Sequence, residues 1–158
     1  MSIAVDVALQ SGRIPLSRER VVRIASHVIR AERVRDACLS ITFVSNRSIA
    51  ALNRRHLGRS GATDVISFEL GNGAAGAPVV GDVYIAPDVA RANARELGIP
   101  VAEELARLVV HGTLHALGHS HPEGSREERS ASPMWKLQER LLRASFAGNG
   151  TTRRSTSG

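Results

Sequence analysis

Between His111 and His121 the chain places four of its six histidines, with glycines at 112 and 118. Few conformations satisfy such a segment. On a helix, His111 and His115 project from one face about one turn apart. Gly118 then suits the left-handed residue that ends a helix, a conformation a Cβ would resist. The reversal carries His121 back over the same face. Leu105, Leu108, Val109, Leu114 and Leu117 make the helix apolar on most sides, so it has to lie buried within the domain. Three neutral imidazoles around one point, with a fourth position open, form the ligand set of a catalytic zinc site. Structural zinc sites are usually closed by four ligands and often use thiolates, and a single cysteine cannot supply those. His111, His115 and His121 are therefore the candidate metal ligands. His119 reads as a supporting or exposed residue.

The neighbour of the first histidine narrows the chemistry. The spacing H-x-x-x-H-x-x-G-x-x-H is that of the metzincin proteases, whose motif is H-E-x-x-H-x-x-G-x-x-H. Their glutamate serves as the proton acceptor. Here that position is Gly112, which has no side chain. The metal cage is kept and the protease's base is missing, so a peptidase is disfavoured.

Charge points to the partner. Residues 1–60 carry eleven arginines against Asp6, Glu19, Glu32 and Asp36, a balance of +7, while residues 61–158 sum to −1. A basic half favours a polyanion through phosphate contacts and counterion release. Beside a hydrolytic metal site, that polyanion is most simply a nucleic acid. At 158 residues and 42% hydrophobic, the chain is long enough for one domain with a real core and short for two. No apolar run approaches membrane-spanning length, and Met1–Leu9 lacks the pattern of a signal peptide. The lone Cys38 cannot form an internal disulfide and reads as a small core residue on a strand. These features predict a cytoplasmic protein.

The expected architecture is α/β (α+β), a single compact domain over residues 1–147. A roughly four-stranded mixed sheet meets about five helices, the metal-binding helix among them. Ile3, Val5, Val7 and Leu9 alternate as a strand, and Leu39, Ile41 and Phe43 as a second. Ser17 caps a helix carrying Val21, Ile24, Ala25, Val28 and Ile29. Ser45 or Asn46 caps another with Ile49 and Leu52. Strands at 64–70 and 79–86 flank the Gly/Ala-rich stretch 71–78, a candidate hairpin loop. Pro87 opens a helix that Gly98 closes, and Pro100 starts the histidine-bearing one, with Glu103 and Glu104 in its first turn. A last helix covers roughly 132–146, and residues 148–158 read as a disordered tail.

Three segments together resemble the YbeY-type endoribonucleases. They are Leu52-Asn53 through Thr63-Asp64-Val65-Ile66-Ser67-Phe68, then Gly81-Asp82-Val83-Tyr84-Ile85, and above all His111-Gly112-Thr113-Leu114-His115-Ala116-Leu117-Gly118-x-x-His121. The resemblance spans about residues 3–142. It implies one zinc ion per chain held by the three histidines, and hydrolysis of single-stranded RNA. It also implies roles in 3′-end processing of small-subunit ribosomal RNA and in ribosome quality control. Ribosomal proteins or assembly GTPases are further expected partners; DNA and membranes are not.

The chain departs from the family at two places. Tyr-Asp usually precedes the third histidine, and here His119-Ser120 stands there. The family arginine after an aromatic, downstream of Leu-Asn, falls at Leu57. Arg59, two residues on, is the candidate catalytic arginine, and a solvated loop cation is the equal alternative. Arg54 and Arg55 read either as phosphate contacts or as an exposed helix face. Asp64 and Asp82 read first as turn carboxylates, with groups supporting the ligands near the metal as the alternative, and Met134 as core packing rather than a methionine beneath the metal. Three functions follow for comparison: a zinc-dependent endoribonuclease, an RNA-binding ribosome assembly factor with a mainly structural metal, and a zinc hydrolase of another substrate.

Overall fold

The structure, a computed structural model, describes residues 1–10, 12–121 and 126–154. Four strands, β1 (Ser2–Leu9), β2 (Asp36–Phe43), β3 (Val65–Asn72) and β4 (Val79–Ile85), form one sheet in the order β1-β2-β4-β3. β1 and β4 both run parallel to β2, and β3 pairs antiparallel with β4. Parallel neighbours need a crossover, and α1 (Arg18–Ala31) supplies the one between β1 and β2. The remaining helices are α2 (Asn46–Leu57), α3 (Pro87–Leu97), α4 (Val101–Ala116), α5 (Arg126–Ser130) and α6 (Pro133–Arg154). The mixed sheet and the five expected helices are present, and the short α5 is added to them. Among the described residues no helix is long and apolar enough to cross a membrane.

Local chemistry places the helix starts. The Ser17 hydroxyl accepts from the Arg20 N–H at 3.1 Å, and Ser45 from the Ser48 N–H at 3.2 Å. Ser132 does the same for Trp135 at 3.2 Å, ahead of Pro133. The Gly/Ala-rich stretch is a hairpin loop, turning through Gly73 (φ 80°) and a 3₁₀ turn at Ala74–Gly76.

The sheet is covered unequally. One face presents Val7, Leu39, Ile41, Phe43, Val83 and Ile85 to α1 and α4, with α6 packed against those two helices, and this is the main core. On the other face Ile66, Phe68 and Tyr84 pack with Ile49 and Leu52 of α2 as a second, smaller cluster. Cys38 corrects one expectation, for it is exposed. Strand periodicity explains this: Ala37 and Leu39 point into the core, so Cys38 between them points away. Of the stretch read as a tail, residues 148–154 fall within the range of α6. α6 continues to Arg154, because an established helix extends at one hydrogen bond per residue fixed, and Gly148 and Gly150 do not stop it. Residues 155–158 lie outside the described residues.

Candidate metal centre

α4 builds the site, and its closeness to the sheet determines which way its side chains face. A Cβ added at Gly81 of β4 would lie 2.7 Å from the Ala116 Cβ. One added at Gly112 would lie 2.5 Å from Val83 Cγ1, 3.2 Å from Val65 Cγ2 and 3.3 Å from Ser67 Oγ. The Ser67 hydroxyl also donates to the Gly112 carbonyl at 3.0 Å. Gly112 therefore faces the sheet. A glutamate at this position would drive into β3 and β4 rather than reach the histidines. The missing protease base is thus a requirement of the packing, and this helix has no room for one there.

The end of α4 carries out the reversal that the glycine suggests. Gly118 adopts φ 101°. Its N–H donates to the His115 carbonyl, and the His119 N–H to the Leu114 carbonyl, both at 3.0 Å. These two bonds form a Schellman motif. The motif sends the two following histidines in different directions. His119 pairs through Nε2 with Glu32, the residue that caps α1, and so ties the turn to another helix. His121 returns to the α4 face. Its ring centroid lies 5.3 Å from that of His111 and 4.9 Å from that of His115, with 4.6 Å between the latter two. One nitrogen from each of the three rings lies within 4.8 Å of the others. This is the one group of three or more candidate ligands among the described residues.

The protonation chemistry suits a cation. Burial pushes the His111 pKa down, and burial with the neighbouring His111 and His121 pushes His115 down to about 4. Both rings are therefore neutral lone-pair donors near pH 7. The His111 Nδ1 lies 2.6 Å from Gln138 Oε1 on α6. The Gln138 amide is oriented by donating its Nε2 hydrogen to Glu139 at 3.2 Å, so its oxygen can only accept from the ring. His111 then carries its proton on Nδ1 and leaves Nε2 free for a metal. Sequence reasoning missed Gln138. The signal was available: it sits four residues after Met134 and three before Leu141, a polar residue on an apolar stripe, and it is 1% exposed.

A cavity of about 500 Å³ opens beside His111 and His121, between α3, α4 and α6. On its wall the Asn93 side-chain amide donates to Asp64 at 3.1 Å and to the buried Glu104 at 3.3 Å. Burial raises the Glu104 pKa against the opposing pull of Arg107 and Asn93. Arg107 binds Glu104 at 3.1 Å and Glu139 at 3.0 Å, with Glu103 at 3.3 Å. Asp64 is therefore more than a turn carboxylate; it stands close enough for its charge to act on His111. Asp82 faces the other side of the sheet, in register with Ser40 and Phe68. Met134 is buried in the core, as its spacing predicts, and also lines the cavity.

Arg59 is not among the residues lining that cavity. It lies exposed just after α2, on a turn held by Asn53. The Asn53 amide donates to the Gly61 carbonyl at 3.0 Å, and the Arg59 N–H donates to the Asn53 carbonyl at 3.3 Å. Leu57, at the family's arginine position, is 49% exposed. Arg54 and Arg55 form part of the exposed face of α2.

A half-buried trio of imidazoles with a cavity at its edge defines a candidate metallohydrolase centre on an α+β domain. Comparison with known proteins makes this specific. The sequence profile of endoribonuclease YbeY matches residues 6–145. The endoribonuclease YbeY of Syntrophus aciditrophicus is 34% identical, over 90% of this chain and 89% of its own length. That of Thermobifida fusca is 37% identical, over 89% and 92% respectively. A Thermotoga maritima protein of known solution structure shares the fold, with a TM-score of 0.61 at 21% identity, over 94% of this chain and 93% of its own. The chain belongs to the endoribonuclease YbeY family, hydrolases that act on RNA.

Proposed function

We propose that this protein is a zinc-dependent endoribonuclease that cuts single-stranded RNA in the cytoplasm. Its setting is 3′-end maturation of small-subunit ribosomal RNA and ribosome quality control. The observation that carries the reading is the convergence of His111, His115 and His121 to within 4.8 Å in a chain of this family. The three histidines would hold one ion, with the Gln138 oxygen keeping the His111 ring in the tautomer that can bind it. A divalent ion there supplies Lewis acidity, making water acidic enough to furnish a nucleophile near neutral pH and offsetting charge on a phosphate oxygen. The exposed arginines of α2 (Arg47, Arg54 and Arg55) suit the RNA backbone. Arg59, beside them, is assigned to the charge that builds on the scissile phosphate.

Metal content and cleavage of a single-stranded RNA, measured together, test this. The wild type should carry about one equivalent of zinc and cut. His115→Ala should lose both while staying folded. Arg59→Ala should keep its zinc and lose cleavage. RNA cleavage that persists in folded, metal-free His115→Ala would remove the metal from the chemistry.

A further inference from the structure

The cavity beside the histidines has a wall rich in hydrogen-bond acceptors. Asp64 and Glu96 are carboxylates, which are acceptors when ionised. Asn93 has turned its amide hydrogens to Asp64 and Glu104, so its oxygen is what remains for a ligand. The cationic side chain on this wall, Arg107, is surrounded by Glu103, Glu104 and Glu139. A phosphate brought against such a wall would meet mostly like charge. A divalent cation is not favoured either, because among the described residues none of these carboxylates belongs to a group of three converging ligands. The complement is an uncharged ligand rich in N–H donors.

The opposite wall adds an aromatic surface. Trp135 on α6 lines the cavity half-buried, and it lies three residues, about one turn, before Gln138. Since Gln138 touches His111, the indole stands roughly one helical turn from the metal-binding end. Arg129, whose charge acts on His111, lines the cavity too. The cavity thus has a cationic end at the histidines and an acceptor wall beyond it. Single-stranded RNA is commonly read by stacking a splayed base on an aromatic side chain and bonding its edge. A volume of about 500 Å³ is within the usual range of about 300–1,000 Å³ for small-ligand pockets.

We propose that this cavity is a nucleobase subsite. The base next to the scissile phosphate stacks on Trp135 and presents amino hydrogens to Asp64 and Asn93, which favours guanine over uracil. The inference rests on the ribonuclease reading for its ligand, yet its test does not need cleavage. Trp135 is the only tryptophan, so its emission reports the cavity directly. The zinc-loaded full chain is titrated with GMP, UMP and ribose 5-phosphate, following Trp135 fluorescence. GMP should quench saturably and bind at least about tenfold more tightly than ribose 5-phosphate, the scale of one base–aromatic stack, with UMP between them. Asp64→Asn, which puts a donor on the wall, should narrow the gap between GMP and UMP. Trp135→Leu should weaken GMP binding about tenfold by calorimetry. Equal affinity for GMP and ribose 5-phosphate, no saturable GMP binding, or GMP binding that leaves wild-type emission unchanged would each overturn the subsite. The wild-type comparison stands even where a variant fails to fold. Whether the same preparation cuts RNA is a separate observation, so the two ideas can fail independently.

Discussion

Gly112→Ala separates two opposing contributions to the stability of this fold. In the interior of a helix, alanine is favoured over glycine by about 1 kcal/mol. By that measure alone the substitution should stabilise α4. The structure predicts the opposite. The new Cβ would sit 2.5 Å from Val83 Cγ1, about 0.9 Å short of ordinary contact, which begins at 3.4 Å, and would crowd Val65 and Ser67 as well. Val83 cannot easily yield: it is fully buried in β4, and its branched side chain has little rotamer freedom. Overpacking of this kind costs roughly 1–3 kcal/mol, and a contact against a fully buried strand residue belongs at the upper end. Subtracting the helix gain leaves about 2 kcal/mol of net destabilisation. For a domain of this size that is a fall in Tm of about 4–8 °C. Relief requires α4 to move away from the sheet, carrying His111 and His115 relative to His121, so zinc affinity should fall as well. Thermal melts of the metal-free pair give the first quantity, and competition with a chromophoric chelator the second. A variant as stable as the wild type, or more so, would refute the argument that sheet contact excludes any side chain at this position.

Gln138→Leu, which keeps bulk but removes the acceptor, should weaken zinc binding by about 10–100-fold while leaving the secondary structure intact by circular dichroism; unchanged zinc affinity would deny the amide a part in orienting His111. In the metal-free protein, His115 held at about 4 and His111 also held low bind fewer protons folded than unfolded. Their stabilising contribution is complete above the ordinary histidine value near 6.5 and is lost as pH falls from there toward 4. Urea midpoints should therefore drop between pH 7 and 5, before ordinary carboxylates titrate, and a flat profile across that range would contradict the neutral-ring assignment. Arg107→Leu leaves Glu104 buried without its cation and should cost about 3–5 kcal/mol near neutral pH. Because a carboxyl with a raised folded pKa binds more protons when folded, this loss should shrink as pH falls toward 4.5 and grow as it rises, which denaturation at pH 5 and pH 8 would reveal.

What the sequence made legible follows from the range of each signal. The histidine cage depended on residues ten positions apart or fewer and on one glycine-terminated helix, so local geometry sufficed to assemble it. Alternation and capping residues placed the strands and helix starts for the same reason. Interactions between distant segments were harder to see. Gln138 meets His111 across 27 positions, and Asn93 meets Asp64 across 29. Nothing in either local pattern names the partner. Membership of a strand does not by itself bury Cys38; phase within the strand decides it, and that phase turns Cys38 outward. The first-turn position of Glu104 in α4 suggests only a favourable charge. Its spacing with Val101, Leu105 and Leu108 put it on the buried stripe, where it anchors the Arg107 network.

The close approach of α4 to the sheet ties these observations together. Gly81, Gly112 and Ala116 leave little side-chain bulk between helix and strands, which turns His111 to the opposite side, toward α6 and the cavity, with His115 beside it. The same packing that exposes the ligands forbids a carboxylate beside the first of them. An enzyme built this way has to take its proton acceptor from another element or from solvent. Of the carboxyls that line the cavity, Glu96 has no resolved effect on the histidines, Glu104 is bound to Arg107 and Asn93, and Asp64 holds Asn93 while acting on His111. Asp64 is thus the one whose removal bears on both the cavity wall and the electrostatics of the metal-binding ring. Replacing it changes two functions at once, and only binding and cleavage measured side by side on Asp64→Asn can tell them apart.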